Sequence, residues 1–236
     1  MIQVPVERKV LSENERVAAE LRTSFAVTGT LALNFIGSPG AGKTAFLERT
    51  LQMLPKGTRA AVLTGDIQTE NDAIRLGRYG YPVRQITTAG ACHLDARMVE
   101  KYMWEWRFEE FDLMFIENVG NLVCPTSYDL GEDAKVVVLS VAEGEDKPLK
   151  YPGIFRKAEL MILNKIDLLP YVPFKPELAC EYARRINPDI HIIRTSAITG
   201  AGFDQWLGWL ELRAEQKRAG NKRASAASCA AALQQN

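Results

Sequence analysis

Gly37-Ser38-Pro39-Gly40-Ala41-Gly42-Lys43-Thr44 fits the pattern G-x-x-x-x-G-K-[ST], and its flanks decide the fold. Thr30-Leu31-Ala32-Leu33-Asn34-Phe35-Ile36 reads as a buried strand running into the loop. Ala45-Phe46-Leu47-Glu48-Arg49-Thr50-Leu51 leaves it with the apolar spacing of a helix. Glycines in such a loop let successive backbone N–H groups turn inward around phosphate oxygens, where side chains would collide. The helix that follows points its partial positive end at the same anion. The loop Gly37, Gly40, Ala41 and Gly42 is therefore read as a phosphate cradle. Lys43 is placed to reach the β- and γ-phosphates, and the Thr44 hydroxyl to ligate Mg²⁺. A nucleoside triphosphate is the expected ligand.

Working outward, strands and helices alternate. The expected strands are 30–36, 60–64, 82–86, 111–116, 135–141, 160–164 and 190–195. Helices are expected over about 13–27, from the loop to Pro55, from Gln68 to about Tyr79, over 93–108, 177–187 and 203–217. Alternation of this kind calls for an α/β P-loop fold, a doubly wound, mostly parallel sheet with helices on both faces. Ser12-Glu13-Asn14-Glu15 has the form of a capping box opening the first helix, with Val17, Leu21 and Phe25 as its packing stripe. Three units follow: an N-terminal helical segment over 1–29, the nucleotide-binding domain over 30–217, and a tail over 218–236. The tail, rich in Ala, Ser, Lys, Arg and Gln, is expected to be disordered.

Composition narrows the function classes. The 236 residues carry 29 Lys and Arg against 29 Asp and Glu, so no global field favours nucleic acid or an anionic membrane surface. No apolar run approaches the roughly 20 residues of a membrane span, and Met1–Arg8 has no apolar core of a signal peptide. Four cysteines in such a chain favour reduced thiols or metal ligands over disulfides. A cytoplasmic protein is expected.

Leu160-Met161-Ile162-Leu163 delivers Asn164-Lys165-Ile166-Asp167, an N-K-x-D pattern at a strand's carboxyl end. The Asp167 carboxylate can accept from guanine N1–H and N2–H, a donor pair that adenine lacks. The Lys165 stem can cover the base, and Ser196-Ala197 after the last strand can bring a backbone N–H to guanine O6. Beside a phosphate loop, these residues predict GTP. Asp66 and Glu117 each follow an apolar strand and are the candidate carboxylates for Mg²⁺, Glu117 through a water. Gly120, in Glu117-Asn118-Val119-Gly120, is expected to donate its N–H to the γ-phosphate and to begin a switch loop.

A second constellation carries sulfur and imidazole. Cys92-His93 opens an expected helix, whose dipole would lower the thiol pKa, and Cys124 lies four residues past Gly120. Two thiolates and an imidazole suit Zn²⁺ or another borderline-soft ion such as Ni²⁺. Buried, inert thiols are the alternative. Cys180 is expected in a helix core, Cys229 in the tail, and His191 in a strand without a ligand role.

Three stretches resemble the HypB family of hydrogenase maturation GTPases: Cys92-His93-Leu94-Asp95-Ala96, Glu117-Asn118-Val119-Gly120-Asn121-Leu122-Val123-Cys124-Pro125 and Glu143-Gly144-Glu145-Asp146-Lys147-Pro148-Leu149-Lys150-Tyr151-Pro152. The resemblance spans roughly residues 13–213. It implies a GTPase that forms a homodimer with nucleotide and assists nickel insertion into [NiFe]-hydrogenase. Its implied partners are the hydrogenase large subunit and companion nickel-maturation proteins. It maps a nickel or zinc site onto Cys92, His93 and Cys124, near the subunit contact. Two departures stand out. Residues 1–30 hold neither cysteine nor histidine, where some members carry a nickel-binding stretch, and Thr88-Ala89-Gly90-Ala91 stands where a lysine-bearing glycine turn is expected. Urease-type nickel GTPases are related, with Cys-Pro-His in place of the adjacent Cys92-His93. The competing readings are a metal-independent regulatory or targeting GTPase and a small-molecule kinase, the latter disfavoured by Asn164-Lys165-Ile166-Asp167.

Overall fold

The computed structural model describes residues 6–66, 71–88, 90–103, 106 and 111–233, with side chains described from Val10 to Asn221. In chain order the elements are α1 (Val6–Thr28), β1 (Leu31–Gly37), α2 (Lys43–Met53), β2 (Ala60–Asp66), α3 (Asn71–Gly77), β3 (Val83–Thr87), α4 (Ala96–Met103) and β4 (Leu113–Glu117). They continue with β5 (Ala134–Ser140), α5 (Lys147–Lys150), α6 (Pro152–Lys157), β6 (Leu160–Asn164), α7 (Pro176–Ile186), β7 (His191–Arg194) and α8 (Phe203–Leu233). The residues Gln68–Glu70 and Ala89, expected in a helix start and a loop, lie outside the described residues.

One seven-stranded sheet has the order β3-β2-β4-β1-β5-β6-β7. Every neighbouring pair is parallel. Parallel strands are covered on both faces, which is why β1, β4 and β6 read as near-continuous apolar runs, buried at every position, with Asn34 inside β1 and Glu117 and Asn164 ending the other two. β1 lies between β4 and β5, where the chain's direction of winding reverses. Ligands of doubly wound sheets bind in the crevice at that point, beyond the strands' carboxyl ends.

Alternate residues of each strand feed opposite faces. Leu33 and Phe35 of β1, Val136 of β5 and Ile162 of β6 pack under α2 and α8 with Phe46, Phe203 and Trp206. The Trp206 indole N–H donates to the Thr50 hydroxyl at 3.0 Å, and its ring lies 5.1 Å from that of Phe46. This contact bolts the helix behind the phosphate loop to α8. On the other face α1 brings Val17, Leu21 and Phe25 against Leu94, Val99, Met103 and Ile116. Cys180 lies buried in α7 within the cluster that also holds Val137, Leu139 and Met161.

Three local expectations are corrected. α1 begins by Val6, so Ser12 sits inside the helix rather than at its cap. The neighbouring Asn14 is buried and reaches out of α1: its side chain donates to the Asp129 carbonyl (2.8 Å) and accepts from the Ala96 N–H (2.8 Å). The helix expected from His93 begins at Ala96, because Asn14 and Asp95, which accepts from the Met98 N–H at 2.8 Å, occupy its free N–H groups there. At the C-terminus the backbone stays helical through Leu233 instead of giving way near 217. The alanine, lysine and arginine of that stretch are good helix formers, and Lys217 paired with Asp133 and Asn221 donating to the Val27 carbonyl at 3.0 Å tie α8 to the domain past the expected end.

Candidate functional site

The phosphate loop joins the buried end of β1 to α2. Gly40 and Gly42 take left-handed backbone angles, φ +75° and +90°. At Gly42 a Cβ would also meet Asn164 Nδ2 at 2.7 Å, and at Gly37 one would meet the Val138 carbonyl oxygen at 2.5 Å. The loop can therefore be built only from glycine at these points. Lys43 is buried and donates to the Gly37 carbonyl at 3.2 Å, so its ammonium is folded over the loop. Burial pushes its pKa below the ordinary lysine value, with Glu117 pulling the other way.

Opposite Lys43 stand the carboxylates. Glu117, the last residue of β4, is buried and accepts from the Thr44 hydroxyl at 2.7 Å through Oε1. Its Oε2 is buried without a protein partner. An orphaned carboxylate oxygen beside a hydroxyl is a donor set suited to a hard cation, so the residues fit Mg²⁺. Burial raises the Glu117 carboxyl to about 7. Glu117 thus contacts directly the hydroxyl of Thr44, the other residue expected at Mg²⁺. Asp66, at the end of β2, lines the same cleft of about 360 Å³ with Lys43, Thr44, Glu117 and Gly120. Gly120 presses on the loop closely enough that a Cβ would lie 3.0 Å from Pro39 Cα. Next to it, Asn121 bridges to Gly37. Asp72 and Arg75 of α3 also line the cleft, and sequence reasoning missed both. Their only signal was the i, i+3 spacing that puts two charges on one side of a helix.

The base-side residues are tied to the loop. Lys165 adopts φ +63°, unusual for a side chain. That turn lets its ammonium donate to the Gly40 carbonyl at 2.7 Å. Asn164 donates to the Ala41 carbonyl at 3.1 Å and accepts from the Thr195 hydroxyl at 3.2 Å. Asp167 Oδ1 is buried with no protein partner, a second orphaned acceptor. Ser196 commits its N–H to the Ala201 carbonyl at 3.0 Å and its hydroxyl to the Thr199 N–H at 3.1 Å. Of the predicted Ser196-Ala197 pair, Ala197 is then the residue left to offer an N–H to a base.

Cys92, His93 and Cys124 come together from two loops, their ligand atoms all within 4.8 Å of one another. Cys92 Sγ lies 3.7 Å from His93 Nδ1. The His93 ring stacks on Tyr128, centroids 3.8 Å apart at 25°. Asn121 holds the two loops together, donating to the Cys92 carbonyl at 3.3 Å while accepting from the Val123 N–H at 2.8 Å. Burial pulls the His93 imidazole below its ordinary pKa, which favours the neutral, metal-ligating form. The Cys92 thiol is pushed up, chiefly by the adjacent Cys124, and not lowered by a helix dipole, since α4 starts four residues later. Lys147 donates to Ser38 Oγ of the chain's own phosphate loop at 3.5 Å, whereas Lys150 pairs with Asp146 at 2.7 Å on the surface. His191 lies exposed on β7.

Sheet order, phosphate loop and the strapped N-K-x-D turn define a P-loop nucleotide-binding protein of the doubly wound α/β class. The chain belongs to the CobW/HypB/UreG nucleotide-binding family, whose domain matches residues 31–194, and within it to the HypB hydrogenase maturation factors. It is 51% identical over 206 residues to hydrogenase maturation factor HypB of Azotobacter vinelandii, covering 87% of this chain and 68% of that one. The HypB of Escherichia coli strain K12 is 52% identical over 206 residues, covering 87% and 71%. A crystal structure of HypB from Helicobacter pylori in complex with nickel superposes with a TM-score of 0.81 at 38% identity, covering 89% of this chain and 97% of that one. No helix among the described residues is long and apolar enough to cross a membrane.

Proposed function

We propose that the protein is a GTP-hydrolysing nickel metallochaperone of [NiFe]-hydrogenase maturation, working as a nucleotide-dependent homodimer. Its partners are the hydrogenase large subunit and companion nickel-maturation proteins. The observation that carries this reading is the Cys92–His93–Cys124 cluster, one arm of which lies on the loop that leaves Gly120 at the phosphate cleft.

Guanine is read by Asp167, whose orphaned oxygen takes the N1–H or N2–H, with the Lys165 stem over the ring and Ala197 N–H at O6. Asn164 acts indirectly, by fixing the phosphate loop to the base-binding turn. The N–H groups of Gly37 to Thr44 hold the phosphates, and Lys43 exchanges the Gly37 carbonyl for β- and γ-phosphate oxygens. Thr44, Asp66 and Glu117 would hold Mg²⁺, directly or through water, and the ion would supply neutralisation of phosphate charge. Hydrolysis then proceeds mainly by positioning and electrostatics, as is general for phosphoryl transfer. Gly120 donates to the γ-phosphate and orders the loop toward Cys124, so nucleotide state sets the geometry of the nickel cargo's three ligands. Three protein ligands leave a position through which the metal is passed on.

The test is a nickel titration of the chain loaded with GDP or with a non-hydrolysable GTP analogue, alongside GTP turnover. Stoichiometric nickel with a different affinity in the two states is expected. Turnover of GTP without metal binding would leave the metal-independent regulatory GTPase, and phosphate transfer to an acceptor other than water would return the kinase reading.

A further inference from the structure

We infer that Arg75 is a catalytic residue of the hydrolysis reaction, an arginine supplied by the chain's own α3 to the triphosphate. The inference rests on the GTPase reading above.

Among the described residues lining the phosphate cleft, Lys43 and Arg75 are the two cations. Asp66, Asp72 and Glu117 stand against them and are suited to a divalent cation. That leaves one positive side chain besides Lys43 to meet charge on the phosphates. Arg75 is not free in the cleft. Its Nε donates to Glu48 Oε1 at 3.2 Å, Nη2 pairs with Glu48 Oε2, and Nη1 donates to Asp72 Oδ1 at 3.3 Å. Glu48 lies on α2 four residues past Thr44, hence on the same face of that helix. The guanidinium is thereby held to a residue one turn along α2 from the Thr44 assigned to Mg²⁺. Its side chain is 41% exposed while that of Glu48 is 19% exposed, so the arginine sits on the open side of the pair.

A two-pronged carboxylate is a fair stand-in for a phosphate. A guanidinium fork that matches Glu48 also matches two phosphate oxygens, a geometry that lysine cannot reproduce. In the reaction a water oxygen forms the new bond to Pγ. The bond from Pγ to the β–γ bridging oxygen breaks, and its electron pair stays on GDP. The water proton passes to the released phosphate. Negative charge thus grows on the bridging oxygen as the bond lengthens. Arg75, leaving Glu48 for that oxygen and a γ-oxygen, stabilises the charge where it develops. Arginines used in this way are worth on the order of 10³ or more in kcat. Lys147 approaches from the Ser38 side of the loop and is a separate contact.

The experiment measures GTP turnover, GTP and GDP affinity, and formation of the GDP–aluminium fluoride complex in the wild type, Arg75→Ala, Arg75→Lys and Glu48→Gln. Arg75→Ala is expected to lose at least about a hundredfold in kcat while nucleotide affinities change less than about threefold. The aluminium fluoride complex should fail to form, and added guanidinium should restore part of the rate. Arg75→Lys should recover little. Glu48→Gln, which breaks the parking contact without touching the arginine, should keep or raise kcat. Wild-type turnover in Arg75→Ala overturns the inference, and so does an equal loss of rate in Glu48→Gln, since the pair would then be a tie between α2 and α3. A wild type that binds GTP without hydrolysing it overturns the proposed GTPase as well, so the two failures are distinct.

Discussion

The side-chain oxygen of Asn118 accepts a hydrogen bond from the backbone N–H of Leu94 at 3.1 Å, joining the end of β4 to the residue after His93. The same oxygen accepts from the Val119 N–H at 3.0 Å, on the way to Gly120. Its amide donates to Asn34 Oδ1 (3.2 Å), and Asn34 donates to Glu132 (3.2 Å). Glu132 pairs with Lys135, which donates to the Tyr128 carbonyl at 3.0 Å. Tyr128 carries the ring that stacks on His93. A buried polar circuit therefore grips His93 from two sides and shares one acceptor with the loop at the phosphate cleft.

Asn118→Ala should break that circuit. The Leu94 N–H and Asn34 Oδ1 lose a buried partner, at a cost of about 1–3 kcal/mol in stability. The functional expectation is sharper: the ratio of nickel affinities between the GDP and GTP-analogue states should move toward one while GTP binding changes little. Calorimetric titration of both loaded forms measures it. A wild-type ratio in the variant would show that Asn118 only supports the fold.

Glu117 predicts a pH dependence. Its carboxyl is raised from 4.5 to about 7, first by burial, with Lys43 and the Thr44 hydroxyl opposing. Between about pH 4.5 and 7 the unfolded chain has lost this proton while the folded chain keeps it, so unfolding releases a proton and stability falls as pH rises through the window. The full span corresponds to roughly 3 kcal/mol, at 1.36 kcal/mol per pH unit. Thermal unfolding without nucleotide should show this decline, and Glu117→Gln should flatten it. Because Mg²⁺ takes the ionised form, Mg²⁺–GTP binding near pH 6 should release close to one proton, read from calorimetry in buffers of different ionisation heat. Buffer-independent heats at that pH would contradict the assignment of Glu117.

Asp167→Asn places an amide where guanine needs acceptors for two N–H groups. GTP binding is expected to weaken roughly tenfold to a hundredfold, from an unmet polar pair of about 1–3 kcal/mol, while xanthosine triphosphate binding improves. Competition with a fluorescent nucleotide separates the two. Equal affinity of the wild type for ATP and GTP would remove the guanine reading itself.

The sheet was legible because parallel strands must be apolar on both faces, and β1, β5 and β6 are near-continuous runs of such residues. Contiguous patterns were legible for the same local reason: Gly37 to Thr44 and Asn164 to Asp167 each act within one turn of chain. What escaped depends on partners far along the sequence. Asn14 satisfies an N–H of α4 82 residues away, which moved the start of that helix and with it the electrostatics of Cys92. Arg75 enters the cleft only because α3 lies against Glu48, 27 residues earlier. Ser12 and Glu15 have the spacing of a capping box, yet the chain was already helical from Val6 and had no end there to cap.

The last expectation concerns reciprocity at Cys124. This residue opens a short 3-10 turn, Cys124–Thr126, whose Thr126 hydroxyl donates to the Leu122 carbonyl at 3.0 Å and whose Thr126 carbonyl accepts from Lys157 at 2.9 Å. The turn is fixed at one end and joined to Gly120 at the other, within about 14 Å of extended chain. On the proposed function, ordering of Gly120 by a γ-phosphate would be felt at Cys124, while Cys92 and His93 ride on a different loop. Linkage requires that any factor by which GTP changes nickel affinity equals the factor by which nickel changes GTP affinity, typically about 5- to 150-fold. Cys124→Ala should weaken nickel at least about tenfold and bring both factors to one, with GTP binding in the absence of metal nearly intact. Cys180→Ala is the control: that thiol is buried in α7, so its loss should lower the unfolding temperature and leave nickel binding and both factors unchanged. Two factors that differ in the wild type would mean that dimer formation enters the measurement, and repeating it across protein concentrations would expose that. Identical nickel affinities in both nucleotide states at every concentration would make the cluster a structural site.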